Sequence, residues 1–115
     1  ACETYPHQIA FNVIPQISSL RDEFPGYYGE EIKTVKETRK ILGEPNLAVS
    51  ATCVRVPVFN GHAEAINVQF EEKITADEAR EVLNGAPGIA VMDEPAESVY
   101  PTPLHASGKD DVYVG

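Results

Sequence analysis

The chain has 115 residues, of which 18 are acidic and 9 are basic, so its formal net charge is −9. This acidic excess excludes a nucleic acid or an anionic membrane surface as the partner, because phosphates require a basic face. An apolar content of 43% with 23% charged residues predicts a folded globular domain. No apolar run approaches the length of a membrane span. Two cysteines are too few for a disulfide scaffold, which predicts reduced thiols in a cytoplasmic protein.

The first 45 residues are predicted to contain one clear helix. Residues 1–16 carry alternating apolar side chains between prolines, which favours an extended segment or a strand. Residues 18–28 include a Pro-Gly turn signal and are predicted as a loop or a broken short helix. Gly29 to Leu42 has an apolar stripe, acidic residues at its start and basic residues at its end, which predicts a helix. Gly43 and Pro45 are predicted to end that helix.

The central stretch predicts a β-hairpin. Valines at 54, 56 and 58 alternate with other residues, which is typical of a half-buried strand. Asn60-Gly61 is well suited to a tight hairpin turn, and alternation resumes from His62 to Phe70. In such a hairpin Arg55 and His62 share the face opposite the valines. A permanent cation and a group that transfers protons would then emerge from one rigid element.

The last 40 residues are predicted to add one helix and two short strands. Thr75-Ala-Asp-Glu78 is a capping box that begins a helix ending at Gly85. Residues 88–92 are predicted as a strand, residues 93–108 as a long ordered loop, and residues 111–114 as a last strand. This mixture indicates the α+β class, with a mixed, largely antiparallel sheet and helices packed on one face.

Four side chains are candidates for binding or proton transfer, and each has a simpler alternative. The planar guanidinium of Arg55 can donate two parallel hydrogen bonds to a carboxylate. An internal ion pair with Glu64 would also explain the presence of an arginine at this position. His62 can titrate near neutrality, although a histidine beside a turn is commonly an ordinary surface residue. Glu30 and Lys33 lie three residues apart on one helix face and could be no more than a solvated pair.

The remaining reactive side chains are given no catalytic or metal role. Cys53 alternates onto the face of Arg55, where a cation would lower a thiol pKa, but a structural thiol is the better interpretation. His7, His62 and His105 are scattered, with no acidic residue at a consistent offset, so no metal site is predicted. We assign His105 no function.

The central motif ATCVRVPVFNGHAEA resembles the signature of the C-terminal domain of bacterial aspartate-β-semialdehyde dehydrogenases. HQIAFNVIPQ near the start, KETRKILGEPNLAVSATCVRVPVF in the middle and VYPTPLHASGKDDVYVG at the end resemble the same family in the same order. The resemblance covers residues 1–115 and implies a substrate-binding and dimerisation domain of the glyceraldehyde-3-phosphate dehydrogenase-like type. Ala1 is the first residue and Met92 the only methionine, and the last residues fall within a predicted strand. We therefore expect an excised part of a longer protein.

The resemblance implies a role for each candidate side chain. Arg55 would bind the α-carboxylate of an amino-acid substrate, and His62 would be the general acid and base. Glu30 would bind the substrate ammonium and Lys33 its phosphate. The family's nucleophilic cysteine belongs to an asparagine-rich motif that neither Cys2 nor Cys53 matches. The glycine-rich NADP-binding fold is also missing from this stretch, so NADP would be bound mainly by another domain.

The implied parent enzyme reduces β-aspartyl phosphate to aspartate β-semialdehyde with NADPH, in lysine, threonine and methionine biosynthesis. It would act in the cytoplasm as a homodimer or higher homo-oligomer on a small acyl phosphate, and the isolated chain is expected to be inactive. One alternative is a non-catalytic dimerisation or interaction module. Another is a related reductase acting on N-acetyl-γ-glutamyl phosphate, which Glu30 disfavours because an acetylated amine carries no charge.

Overall fold

The computed structural model describes residues 3–115, which leaves Ala1 and Cys2 outside the description. The chain divides into two compact units, Ala1–Pro57 and Val58–Gly115. Each unit contains at least one helix and two short strands, which confirms the α+β class. Each unit has one two-stranded sheet, antiparallel in the first and parallel in the second. Among the described residues, no helix has both the length and the apolar character needed to cross a membrane.

In the first unit a short antiparallel ribbon leads directly into a helix. Strand β1 is Leu20–Arg21 and strand β2 is Phe24–Tyr28. The prediction of a loop or broken helix over residues 18–28 is therefore wrong. The Pro-Gly pair that suggested a turn lies inside β2, which is possible because both strands of a two-stranded ribbon are edges, where proline is tolerated.

Helix α1, Gly29–Leu42, has the predicted bounds, because local signals fix both of its ends. The backbone N–H of Tyr28 donates to Glu31 Oε2 at 2.9 Å and caps the first turn. Gly43 adopts a left-handed conformation (φ 72°) at the C-cap, and Glu44 N donates back to Arg39 O at 3.0 Å. Glycine suits this position because it has no Cβ to clash in that conformation.

The predicted hairpin of residues 54–70 is wrong. These residues form no strand, and the only pairing in the stretch is an isolated antiparallel bridge between Arg55 and Ile14. The hairpin turn would need a positive φ at both Asn60 and Gly61. Gly61 has a φ of 84°, but Asn60 is not among the residues with positive φ, so the chain does not turn back on itself there.

The second unit is built from a helix packed beside a parallel strand pair. Helix α2, Ala76–Asn84, begins at the predicted cap Thr75. Strand β3, Ile89–Val91, contacts α2 and pairs in parallel with strand β4, Val112–Val114, close to both predicted positions. The predicted loop between these strands is more ordered than expected, because it contains a 3₁₀ turn, Pro95–Glu97, and helix α3, Pro103–Ala106. Proline at the start of each of these turns favours a helical backbone.

Burial in the first unit is concentrated around the start of α1. Ile14 is 2% exposed and Ile32 is 8% exposed, and they are the buried apolar side chains of the described residues. Glu31 is also buried, at 9% exposure. A carboxylate at that depth needs hydrogen-bond donors around it.

Candidate functional site

The first turn of α1 holds two of the predicted side chains together. Lys33 Nζ lies 3.2 Å from Glu30 Oε1, and both side chains remain accessible to solvent. The hydrogen bond to Glu30 and the negative charge of its carboxylate raise the pKa of Lys33 above its ordinary value. An exposed pair of this kind contributes little to stability and opens readily when another charged group competes for either partner.

The backbone of Arg55 is fixed by a pair of hydrogen bonds. Its N–H donates to Ile14 O at 2.9 Å, and Ile14 N donates to Arg55 O at 3.0 Å. The guanidinium carbon of Arg55 lies 5.3 Å from the centroid of the Tyr5 ring, within range of a cation–π contact. Within residues 3–57 no carboxylate forms an ion pair with Arg55. The guanidinium therefore lies over an aromatic face and has no recorded ion pair within residues 3–57.

Glu31 is the residue of this site that sequence reasoning missed. Its Oε2 accepts from Tyr28 N at 2.9 Å, and its Oε1 accepts from Cys53 N at 3.3 Å. The second bond connects α1 to the segment that carries Arg55. One sequence signal was available: Glu31 precedes Val35 by four residues and so lies on the apolar stripe of the helix, where a carboxylate has to find donors.

Cys53 has the surroundings of a structural thiol. Its side chain is half-buried, and Sγ lies 3.9 Å from Thr34 Oγ1 on the facing turn of α1. The same hydroxyl donates to Glu30 O at 3.0 Å, so Thr34 is engaged within its own helix. These contacts support the interpretation that Cys53 packs against α1.

His62 belongs to the second unit, on the exposed stretch after Gly61. Gly61, the residue before His62, lies beside Pro103 of the same unit: a Cβ on Gly61 would be 3.8 Å from the Cβ of Pro103, an ordinary van der Waals contact. The structure thus brings Glu30 and Lys33 together and connects the segment of Arg55 to their helix through Cys53, whereas His62 belongs to the other unit. The role of His62 stays a prediction.

His105, which was assigned no function, has a local structural contact. His105 Nδ1 lies 3.0 Å from Thr102 Oγ1 at the start of α3. Across residues 3–115, the structure contains no group of three His, Cys, Asp or Glu side chains that could hold a metal ion.

Comparison with known proteins adds the family. The family described as "Semialdehyde dehydrogenase, dimerisation domain" matches residues 2–115. The chain is 50% identical over 113 residues to the aspartate-semialdehyde dehydrogenase of Aquifex aeolicus, covering 98% of this chain and 33% of that protein. The enzyme of Legionella pneumophila is 46% identical over 114 residues, with 98% and 32% covered.

A solved structure gives the same relationship in three dimensions. Aspartate semialdehyde dehydrogenase II of Vibrio cholerae, complexed with ASA, superposes with a TM-score of 0.91 at 44% identity. That match covers 100% of this chain and 33% of the neighbour, so the chain spans about a third of the relatives it matches. A profile match over residues 2–115 places the chain in the semialdehyde dehydrogenase dimerisation-domain family.

Proposed function

We propose that the chain is the substrate-binding and dimerisation part of an NADP-dependent aspartate-β-semialdehyde dehydrogenase. The enzyme would reduce β-aspartyl phosphate to aspartate β-semialdehyde and release phosphate, in the cytoplasmic biosynthesis of lysine, threonine and methionine. The observation that carries the proposal is the hydrogen bond from Cys53 N to Glu31, which connects the segment of Arg55 to the helix bearing Glu30 and Lys33. The shared name of the relatives supports the same reaction.

The charges of these three side chains are complementary to those of the substrate. β-Aspartyl phosphate carries an α-carboxylate, an ammonium group and an acyl phosphate. Arg55 would bind the carboxylate through two parallel N–H donors, a geometry that lysine cannot reproduce. Glu30 would accept from the ammonium and Lys33 would donate to the phosphate. Substrate binding would therefore replace the exposed Lys33–Glu30 pair, which lies at 3.2 Å, with two pairs to the ligand.

Proton transfer is assigned to His62. An imidazole can accept a proton and return it in the next step, which suits the general acid and base of this reaction. NADP supplies hydride transfer when bound, but this chain has no glycine-rich dinucleotide fingerprint, so the cofactor and the nucleophilic thiol would be held elsewhere in the longer protein. The role of this chain would be to bind and orient the amino acid and to move the proton.

The proposal extends to the architecture of the complete enzyme. The matching domain would be of the glyceraldehyde-3-phosphate dehydrogenase-like type, with a mixed sheet that carries helices on one face. The family's description as a dimerisation domain supports a homodimer or a higher homo-oligomer.

The substitution Arg55→Lys in the complete enzyme tests the proposal. We expect the KM for aspartate β-semialdehyde to rise and kcat/KM to fall by about 10- to 100-fold, because a charge-assisted bidentate contact becomes a single one. Steady-state assays in the phosphate-dependent direction measure both constants. An unchanged KM and kcat would remove Arg55 from the site.

Two controls make that result specific. Arg80→Lys alters an arginine that bonds Asp93 and Asp77 in the second unit and should leave the KM unchanged. The isolated 115-residue chain should show no NADPH turnover. Activity of that chain would contradict the proposal that the cofactor and the nucleophilic thiol are held elsewhere in the longer protein.

A further inference from the structure

Glu31 makes two hydrogen bonds that serve different parts of the molecule. Oε2 accepts from Tyr28 N at 2.9 Å, a bond that caps the first turn of α1. Oε1 accepts from Cys53 N at 3.3 Å, a residue that lies 22 positions further along the chain. Glu31 is 9% exposed as a residue, and both bonds are partly buried.

The other capping-box glutamate of the chain shows that the second contact is not a general property of this motif. Glu78 also stands at the third position of its helix and accepts from Thr75 N at 2.8 Å. Its same oxygen accepts from Thr75 Oγ1 at 2.7 Å, so its recorded bonds remain within the cap. These bonds lower the pKa of Glu78. Glu31 alone of the two connects its helix to another segment.

The connection falls beside the side chain proposed to bind the substrate carboxylate. Cys53 precedes Arg55 by two residues, and two residues of chain span at most about 7 Å. Arg55 is bonded on its own backbone to Ile14. The Arg55 segment is therefore fixed to residue 14 by one pair of bonds and to α1 by Glu31.

Glu30 and Lys33 flank Glu31 on the same helical turn. A ligand that carries an ammonium and a carboxylate needs the protein groups that bind these two charges to lie at a fixed separation. Helix α1 provides the group for the ammonium, and the Arg55 segment provides the group for the carboxylate. We propose that Glu31 is a positioning residue that sets the separation between the Glu30–Lys33 pair and Arg55. This role rests on the proposed function. It adds Glu31 to the residues needed for substrate binding, although Glu31 is assigned no contact with the substrate.

The test is Glu31→Gln in the complete enzyme. The amide keeps the shape of the side chain, but only its oxygen accepts, so one of the two backbone N–H groups loses its partner. We expect the KM for aspartate β-semialdehyde to rise about tenfold, the loss typical of one hydrogen bond to a charged group. The KM for NADP should stay unchanged, because the cofactor is proposed to be bound mainly by another domain of the complete enzyme.

This pattern separates positioning from simple destabilisation. A variant that merely unfolds in part lowers the amount of active enzyme, which reduces the maximal velocity and leaves both KM values unchanged. Glu78→Gln is the matched control: it weakens the equivalent cap of α2 and should leave the KM for the semialdehyde at the wild-type value.

A second variant serves if Glu31→Gln does not fold. Glu31→Asp keeps the negative charge beside the first turn but is one methylene shorter, so it cannot span both donors, and we expect the same rise in KM. A wild-type KM in a folded Glu31→Gln or Glu31→Asp enzyme would overturn the role of Glu31 while the proposed function stands. A complete wild-type enzyme with no activity on aspartate β-semialdehyde would overturn the proposed function and this role with it.

Discussion

Two segments with similar sequence patterns have different surroundings in this molecule. The alternating residues around Arg55 include a backbone bridge from Arg55 to Ile14. Ile14 is 2% exposed. Residues 58–74, here called the extended stretch, continue the alternation in the second unit without forming a strand. Within it Ile66 is 73% exposed and Phe70 is 58% exposed.

The comparison shows what an alternating pattern can and cannot specify. Alternation states which side chains would share a face, but a strand exists only when a second segment satisfies its backbone groups. For Arg55 the partner is Ile14, and two backbone hydrogen bonds of 2.9 and 3.0 Å join the two residues. Within residues 3–115, no backbone hydrogen bond is made by the extended stretch, so its pattern has no described partner.

Hydrogen exchange should show the largest difference between the two segments. We expect the amides of Ile14 and Arg55 to exchange about 100-fold more slowly than those of residues 62–70, since exchange requires the bonded bridge to open first. Exchange monitored by NMR on the 115-residue chain measures both. Comparable protection of residues 62–70 would mean that the extended stretch is paired in solution.

Truncating one isoleucine from each segment should give the next largest contrast. Ile14→Ala is expected to lower the free energy of unfolding by about 2–4 kcal/mol, because it leaves a cavity in a buried site. Ile66→Ala should change it by less than about 0.5 kcal/mol, because the side chain is already in water. Urea unfolding of the two variants, with the same m-value, provides the comparison, and equal losses would contradict the difference in burial.

A smaller contrast should come from two glycines that both have positive φ. Gly43→Ala is expected to cost about 1 kcal/mol, because the C-cap bonds of α1 hold residue 43 in the left-handed region. Gly61→Ala should cost less than about 0.5 kcal/mol, because the backbone around it makes no bonds that prevent relaxation. Thermal unfolding of both variants checks this, and a larger loss at Gly61 would show that the extended stretch is held more firmly than its contacts indicate.

The parts of the fold that were predictable are those whose signals are local. Helix α1 was predicted with its observed bounds, because its charged ends and Gly43 act within one or two turns. Helix α2 began at the predicted Thr75 for the same reason, since a capping box spans four residues.

The wrong or missing predictions concern features that depend on residues far apart in the chain or on a single dihedral angle. The hairpin was predicted from Asn60-Gly61, yet Asn60 does not take the positive φ that the turn requires, and the partner of Arg55 is 41 residues earlier in the chain. The place of Glu31 on the apolar stripe of α1 indicates that its carboxylate needs donors, but no short-range pattern identifies Cys53 as one of them. Pairings at such separations depend on the whole chain rather than on the residues beside them.

The parallel pairing of β3 with β4 has a consequence for the order of folding. Ile89–Val91 and Val112–Val114 meet only after the crossover from Met92 to Asp111 has closed, and closing that loop costs entropy before any ladder bond repays it. Helix α2 has no such requirement, because its contacts are local. We therefore expect α2 to form early and the β3–β4 ladder to appear in the last kinetic phase of the second unit.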